Sequence, residues 1–176
     1  MDIEKANTYL EIAFGRTVLA PFYFSKVRAL NLTKNDVVLD FGCGTGNFAR
    51  HAVRTARKII CLDISKDKMS YVEKALGRYR NTEFHNKPLS DVKLNSDITA
   101  ICIIYVLHDF GKRELNETAM RMYSVAEQGC RVYITEPSKE HHGIKPELVA
   151  DAFENAGFVK TMQKIRKNSF SLGFVK

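Results

Sequence analysis

The most constraining stretch of the chain runs Val37-Val38-Leu39-Asp40-Phe41-Gly42-Cys43-Gly44-Thr45-Gly46-Asn47. Its first half is a short apolar run led by two valines, the pattern of a strand buried on both faces of a parallel sheet. Its second half puts glycine at three alternate positions. Without a Cβ, glycine enters the left-handed backbone region at little cost, so the triplet predicts a tight turn against which a ligand can press. Phe48, Ala49, Ala52 and Val53 then give a following helix one apolar face. Strand, glycine turn and helix N-terminus together predict a cradle in which exposed backbone N–H groups meet polar ligand atoms.

The stretches that follow repeat this strand-to-helix alternation. Lys58–Leu62 reads as a second strand ending at Asp63, with Ser65 capping a helix from Lys66 to about Arg80. A carboxylate at the end of a second strand can accept hydrogen bonds from both hydroxyls of a ribose. Thr82–His85 reads as a third strand. Ile98–Ile104 is almost wholly apolar, as a central strand should be, and runs into Tyr105-Val106-Leu107-His108-Asp109-Phe110. His108 is a candidate general base because imidazole titrates near neutrality. The competing reading has His108 and Asp109 fix this loop and start the next helix. Arg113–Ala126 predicts an amphipathic helix with Leu115, Ala119, Met122 and Tyr123 inward, ended by Glu127-Gln128-Gly129. Arg131–Pro137 predicts a fifth strand, and Pro146 a place in the first turn of a helix ending near Gly157. Val159–Ile165 and Ser169–Val175 are spaced as a hairpin around Arg166-Lys167-Asn168.

A length of 176 residues predicts one domain spanning the chain. Residues 1–34 carry apolar positions at helical spacing, either as helices on a sheet edge or as a cover over the ligand pocket. In the second case Tyr9, Phe22 or Tyr23 would form its walls. The start, Met1-Asp2-Ile3-Glu4-Lys5, does not read as a secretory leader, and no apolar run approaches the roughly 20 residues of a membrane helix. A cytoplasmic protein without membrane insertion is expected. Cys43, Cys61, Cys102 and Cys130 form no C-x-x-C pair, and His141-His142 has no acidic or thiol partner at useful spacing, so no metal is expected. The net charge of +7 suits anionic partners. Its cations, however, are scattered through 50–58, 78–87 and 160–167, so a nucleic-acid groove is not favoured.

The spacing of the glycines separates two kinds of nucleotide cofactor. A dinucleotide turn reads G-x-G-x-x-G. Here Asp40 precedes G-x-G-x-G, and this D-x-G-x-G-x-G pattern resembles the first motif of class I S-adenosylmethionine-dependent methyltransferases. Leu62-Asp63-Ile64-Ser65 with Met69 is similar to their second motif, and Val106-Leu107-His108-Asp109 resembles a segment of the methyltransferase type 11 group. The resemblance implies a Rossmann-like α/β fold with a seven-stranded sheet of order 3-2-1-4-5-7-6, its last strand antiparallel, and helices on both faces. It implies S-adenosylmethionine as cofactor, S-adenosylhomocysteine as product and no metal. By the same resemblance, the backbone of Gly42, Cys43, Gly44 and Gly46 lies along the cofactor's amino-acid tail, and Asp40 organises the ammonium group. Asp63 holds the ribose and Ile64 packs on adenine. Pro88 and Leu89 stand where the family often has an acid for the adenine amino group. A one- or two-residue shift would use Asn86, Asp91 is farther along, and that hydrogen bond stays unassigned. Tyr105 offers backbone to the amino-acid end. The implied reaction is methyl transfer to a nucleophile of an unidentified acceptor, a small molecule first. The alternatives are an RNA or protein methyltransferase and a non-catalytic cofactor-binding subunit. Tyr105-Val106-Leu107-His108 replaces the N/D-P-P-Y/F motif of many amino-directed nucleic-acid enzymes, which weakens that class.

Overall fold

The computed structural model describes residues 18–95, 97–138 and 142–176. Seven strands form one sheet of order β3-β2-β1-β4-β5-β7-β6. Contacts gather into two compact units, residues 1–88 and 89–176.

The first unit holds β1 (Val37–Phe41), β2 (Lys58–Leu62) and β3 (Thr82–His85). They run parallel, with Val38 opposite Ile59 and Ile60 opposite Glu83. All five residues of β1 are buried, as its apolar run requires. Helix α1 (Ala20–Ala29) carries a proline in its first turn and buries Lys26 and Val27. Its Phe22 and Tyr23 rings meet edge to face at 5.2 Å, while Phe24 lies edge-on to His51 of α2 (Asn47–Ala52) at 6.2 Å. Tyr9, the third aromatic expected to line a cover, falls outside the described residues. Helix α3 spans Lys66–Leu76, with the Ser65 hydroxyl accepting from the Lys68 N–H. It ends four residues before the expected Arg80, because Gly77 is a poor helix residue and the Thr82 hydroxyl donates to the Leu76 carbonyl.

The second unit holds β4 (Ile98–Ile104), β5 (Ala126–Pro137), β6 (Val159–Ile165) and β7 (Ser169–Val175). β4 and β5 are parallel, and β7 runs antiparallel to both β5 and β6. Helices α4 (Lys112–Val125) and α5 (Pro146–Asn155) bury Leu115, Ala119 and Met122, and Val149, Ala152 and Phe153. Phe153 stacks on Phe174 at 5.2 Å and leans on Phe158, fixing α5 to β7. One boundary differs from expectation. Glu127-Gln128-Gly129 belongs to β5 rather than to a free turn, as an irregularity where the register against β4 shifts. Gly129 takes φ +82° there, and its N–H donates to the Lys176 carbonyl.

Candidate functional site

The glycine turn follows β1 directly. Gly42, Gly44 and Gly46 have φ of +65°, +54° and +74°, so all three occupy the left-handed region that disfavours a side chain. A Cβ on Gly46 would also come within 3.2 Å of Val72 on α3. The alternation of glycines is therefore a backbone requirement of the turn.

The turn's donors differ from the expected outward-facing set. Gly42 and Cys43 N–H groups donate to the Leu62 carbonyl at 2.8 and 3.0 Å, and Gly46 donates to the Cys43 carbonyl at 2.9 Å. The Gly44 N–H donates to Asp63 Oδ2 at 2.8 Å. The turn folds back over the end of β2, which uses these donors within the chain. Asp63 is correspondingly busier than a solvated strand-end acid, for its Oδ1 also accepts from the Ser65 N–H at 2.9 Å. A carboxylate has about four acceptor positions, so two remain for a ligand's hydroxyls. Beside it Ile64 is 75% exposed, Asn86 donates to the Asp63 carbonyl, and Pro88 is exposed.

Asp40 lies beneath the turn at 4% exposure. Its carboxylate accepts from the Ala49 backbone, yet Oδ2 meets no hydrogen-bond partner among the described residues. Burial pushes its pKa up to about 8, the charge of Asp63 adds to the rise, and the Ala49 N–H opposes it. A buried acceptor without a donor is costly, so this oxygen fits a cation supplied from outside. Cys43 is buried with its thiol on Cys61, and that hydrogen bond together with burial raises its pKa. Both thiols are free.

A second cluster sits in the other unit, on the loop after β4. Tyr105 is 46% exposed and takes φ +58°, a conformation costing a non-glycine residue roughly 1–2 kcal/mol. The next residues are tied by a group the sequence reading missed, Glu136 on β5. Its side chain is wholly buried. Oε1 accepts from the Val106 and Leu107 N–H groups at 2.8 and 3.0 Å, and Oε2 lies 2.8 Å from His108 Nδ1. The Tyr105 N–H donates to the Thr135 carbonyl at 2.9 Å. The hydrogen bond to Glu136 holds the His108 pKa above its ordinary value, against partial burial, with Asp109 also raising it. One signal of Glu136 was available: an acid that directly follows Val132-Tyr133-Ile134-Thr135 in one strand must find donors when the strand is buried. Leu89, expected beside the adenine, is a buried residue of a 3-10 turn over Leu89–Asp91. His142 is exposed and His141 lies outside the described residues. Among the described residues no group of His, Cys, Asp and Glu could hold a metal ion.

A family profile described as "Methyltransferase domain" matches residues 38–129, more than half of the chain. The chain belongs to the methyltransferase-domain family. The sheet order and the antiparallel β7 are those of its class I, S-adenosylmethionine-dependent members. Among curated relatives, the malonyl-[acyl-carrier protein] O-methyltransferase of Pectobacterium atrosepticum is 39% identical over 56 residues, covering 31% of this chain and 22% of that protein. Ribosomal RNA small subunit methyltransferase A of Lachnoclostridium phytofermentans is 28% identical over 99 residues, covering 53% of this chain and 34% of that protein. The match thus spans no more than about a third of either relative. Among solved structures, magnesium protoporphyrin IX methyltransferase from Synechocystis, with SAM bound, superposes with a TM-score of 0.74. It is 16% identical and covers 96% of this chain and 83% of that one, a likeness of fold. No helix among the described residues is long and apolar enough to cross a membrane.

Proposed function

We propose that this methyltransferase-family chain binds S-adenosylmethionine at the glycine turn and transfers its methyl group to a small-molecule acceptor. The observation that carries the cofactor assignment is the buried Oδ2 of Asp40, without a partner among the described residues, under three left-handed glycines. An ammonium group supplies the donor that oxygen lacks, and pairing would hold the carboxylate ionised despite its burial. Asp63 keeps the turn closed through Gly44 and Ser65 and offers its remaining lone pairs to the ribose hydroxyls. Ile64, exposed next to it, offers an apolar surface to the adenine. The cofactor's sulfonium supplies an already activated methyl group. The chain's own work is then to orient the reactants and exclude water. His108, oriented by Glu136, is the candidate to take a proton from the acceptor.

A small acceptor is favoured over RNA because the exposed cations are spread over several elements. RNA methylation is the second reading, supported by the net charge of +7 and the similarity to ribosomal RNA methyltransferases. Steeply salt-dependent binding to RNA would promote it. Four buried free thiols fit a reducing, cytoplasmic setting.

Calorimetric titration tests the cofactor assignment. S-adenosylhomocysteine should bind and NAD and NADP should not. Gly44→Val should abolish binding while circular dichroism stays unchanged, since valine at φ +54° is strained and fills the ligand's side of the turn. Cys43→Ala, whose thiol faces Cys61, should keep most of the affinity. Normal binding by Gly44→Val would remove this turn from the site.

A further inference from the structure

The second unit contains a cavity of about 500 Å³ that shares only His108 with the roles above. This is within the size range of small-ligand pockets, roughly 300–1,000 Å³. Its walls come from the loop after β4, from α4, and from the start and one side of α5. His108, Lys112, Asn116 and Lys145 contribute polar groups to it. Leu115 and Ala152, both buried, form an apolar floor, and Leu148 lies on the wall at 42% exposure. A leucine that exposed, on the side of α5 it shares with the exposed Asp151 and Asn155, is what a ligand with an apolar body would cover.

Charge narrows the ligand further. Lys112 and Lys145 bring two cations, and Asp151 brings one opposing carboxylate. His108 is paired with Glu136, so its charge is largely balanced from behind. The lining keeps a surplus of about one positive charge, which suits a monoanion better than an amine or a dianion. Asn116 and Asn155 add amides able to bond a carboxylate or a neighbouring hydroxyl.

We propose that this cavity holds the methyl acceptor, and that the acceptor is a small molecule with an apolar body and one carboxylate. Its being the acceptor rests on the methyltransferase reading and on His108 lining the cavity. The preference for a carboxylate rests on the lining alone. Ligand-observed NMR with benzoate and its cationic counterpart benzylamine decides it, beside calorimetry with S-adenosylhomocysteine. Benzoate should bind at least tenfold more tightly than benzylamine. Leu148→Trp should abolish benzoate binding by filling the cavity, and Lys112→Gln with Lys145→Gln should weaken it at least fivefold. S-adenosylhomocysteine affinity should be unchanged in these variants, which shows that they fold. Benzoate binding that is absent, unchanged by Leu148→Trp, or no tighter than that of benzylamine overturns the proposal. Loss of S-adenosylhomocysteine binding by the unmodified protein would instead overturn the methyltransferase reading.

Discussion

Asp40 and Glu136 are both buried carboxylates at strand ends beneath a turn, and they are used in opposite ways. Glu136 is wholly buried and satisfied: two backbone N–H groups take Oε1 and an imidazole faces Oε2. Asp40 is nearly as buried, but one oxygen has no partner among the described residues and its pKa is pushed up to about 8. A satisfied buried acid holds its own chain, here the residues that follow the left-handed Tyr105. An unsatisfied one destabilises the free protein and gains when a cation arrives, as binding sites commonly do. The contrast predicts opposite signs for the two carboxylates in stability measurements.

The largest effect should come from Glu136→Ala. It strands the N–H groups of Val106 and Leu107 and removes the partner of His108, and each abandoned buried group costs about 1–3 kcal/mol. Urea denaturation should show a loss of roughly 3 kcal/mol or more. A loss under about 1 kcal/mol would mean that water replaces the carboxylate, and that Glu136 does not hold the loop.

Asp40→Asn should do the reverse. An acid whose native pKa lies near 8, against 3.8 unfolded, binds its proton more tightly when folded. Between those values the native state carries the extra proton, so stability falls as pH rises from about 4 to about 8. Asn removes that slope, and the variant should be more stable than the parent at pH 8. Its affinity for S-adenosylhomocysteine should fall about ten- to a hundredfold, the worth of a charge-assisted hydrogen bond at about 1.5–3 kcal/mol. If stability at pH 8 drops instead, Oδ2 has a partner and the contrast with Glu136 fails.

Asp63→Asn sharpens the comparison, because Asp63 combines both habits. It holds the Gly44 and Ser65 N–H groups and keeps lone pairs for a ligand. An amide can replace only one of the two carboxylate oxygens as acceptor, so stability should fall by about 1 kcal/mol and affinity about tenfold. A loss of affinity with no loss of stability would show that the Gly44 tether carries no energy.

These two uses of a carboxylate differ in how plainly the sequence announces them. Strand bounds were legible at β1, β2, β3, β4, β6 and β7, because apolar runs and their punctuation are local. The three left-handed glycines were legible for the same reason. The direction of the turn's N–H groups was not, since it depends on Leu62 and Asp63 of another strand. Glu136 was read only as part of a strand, although its three partners are 28 to 30 residues away. Where β5 begins was also hidden, because Gln128 and Gly129 bond to Lys176 at the far end of the chain. Long-range hydrogen bonds leave little trace in local pattern.

The smallest effect concerns the imidazole that Glu136 holds. The His108 pKa is raised from 6.5, chiefly by the hydrogen bond to Glu136. A proton bound more tightly in the folded state adds stability that is complete below 6.5 and lost as pH rises through the native value. This slope has the same sign as that of Asp40, and the two overlap near neutrality, so the unmodified protein cannot separate them. In the Asp40→Asn background the remaining fall above pH 6.5 belongs to His108. It should amount to under about 1 kcal/mol, because water still reaches the ring. Adding His108→Gln should flatten it, while the Val106 and Leu107 bonds to Glu136 keep the loop in place. A flat profile before His108 is touched would mean that Glu136 meets a neutral imidazole. Glu136 would then hold the backbone alone, leaving His108 available as a base at a lower pH than the ion pair allows.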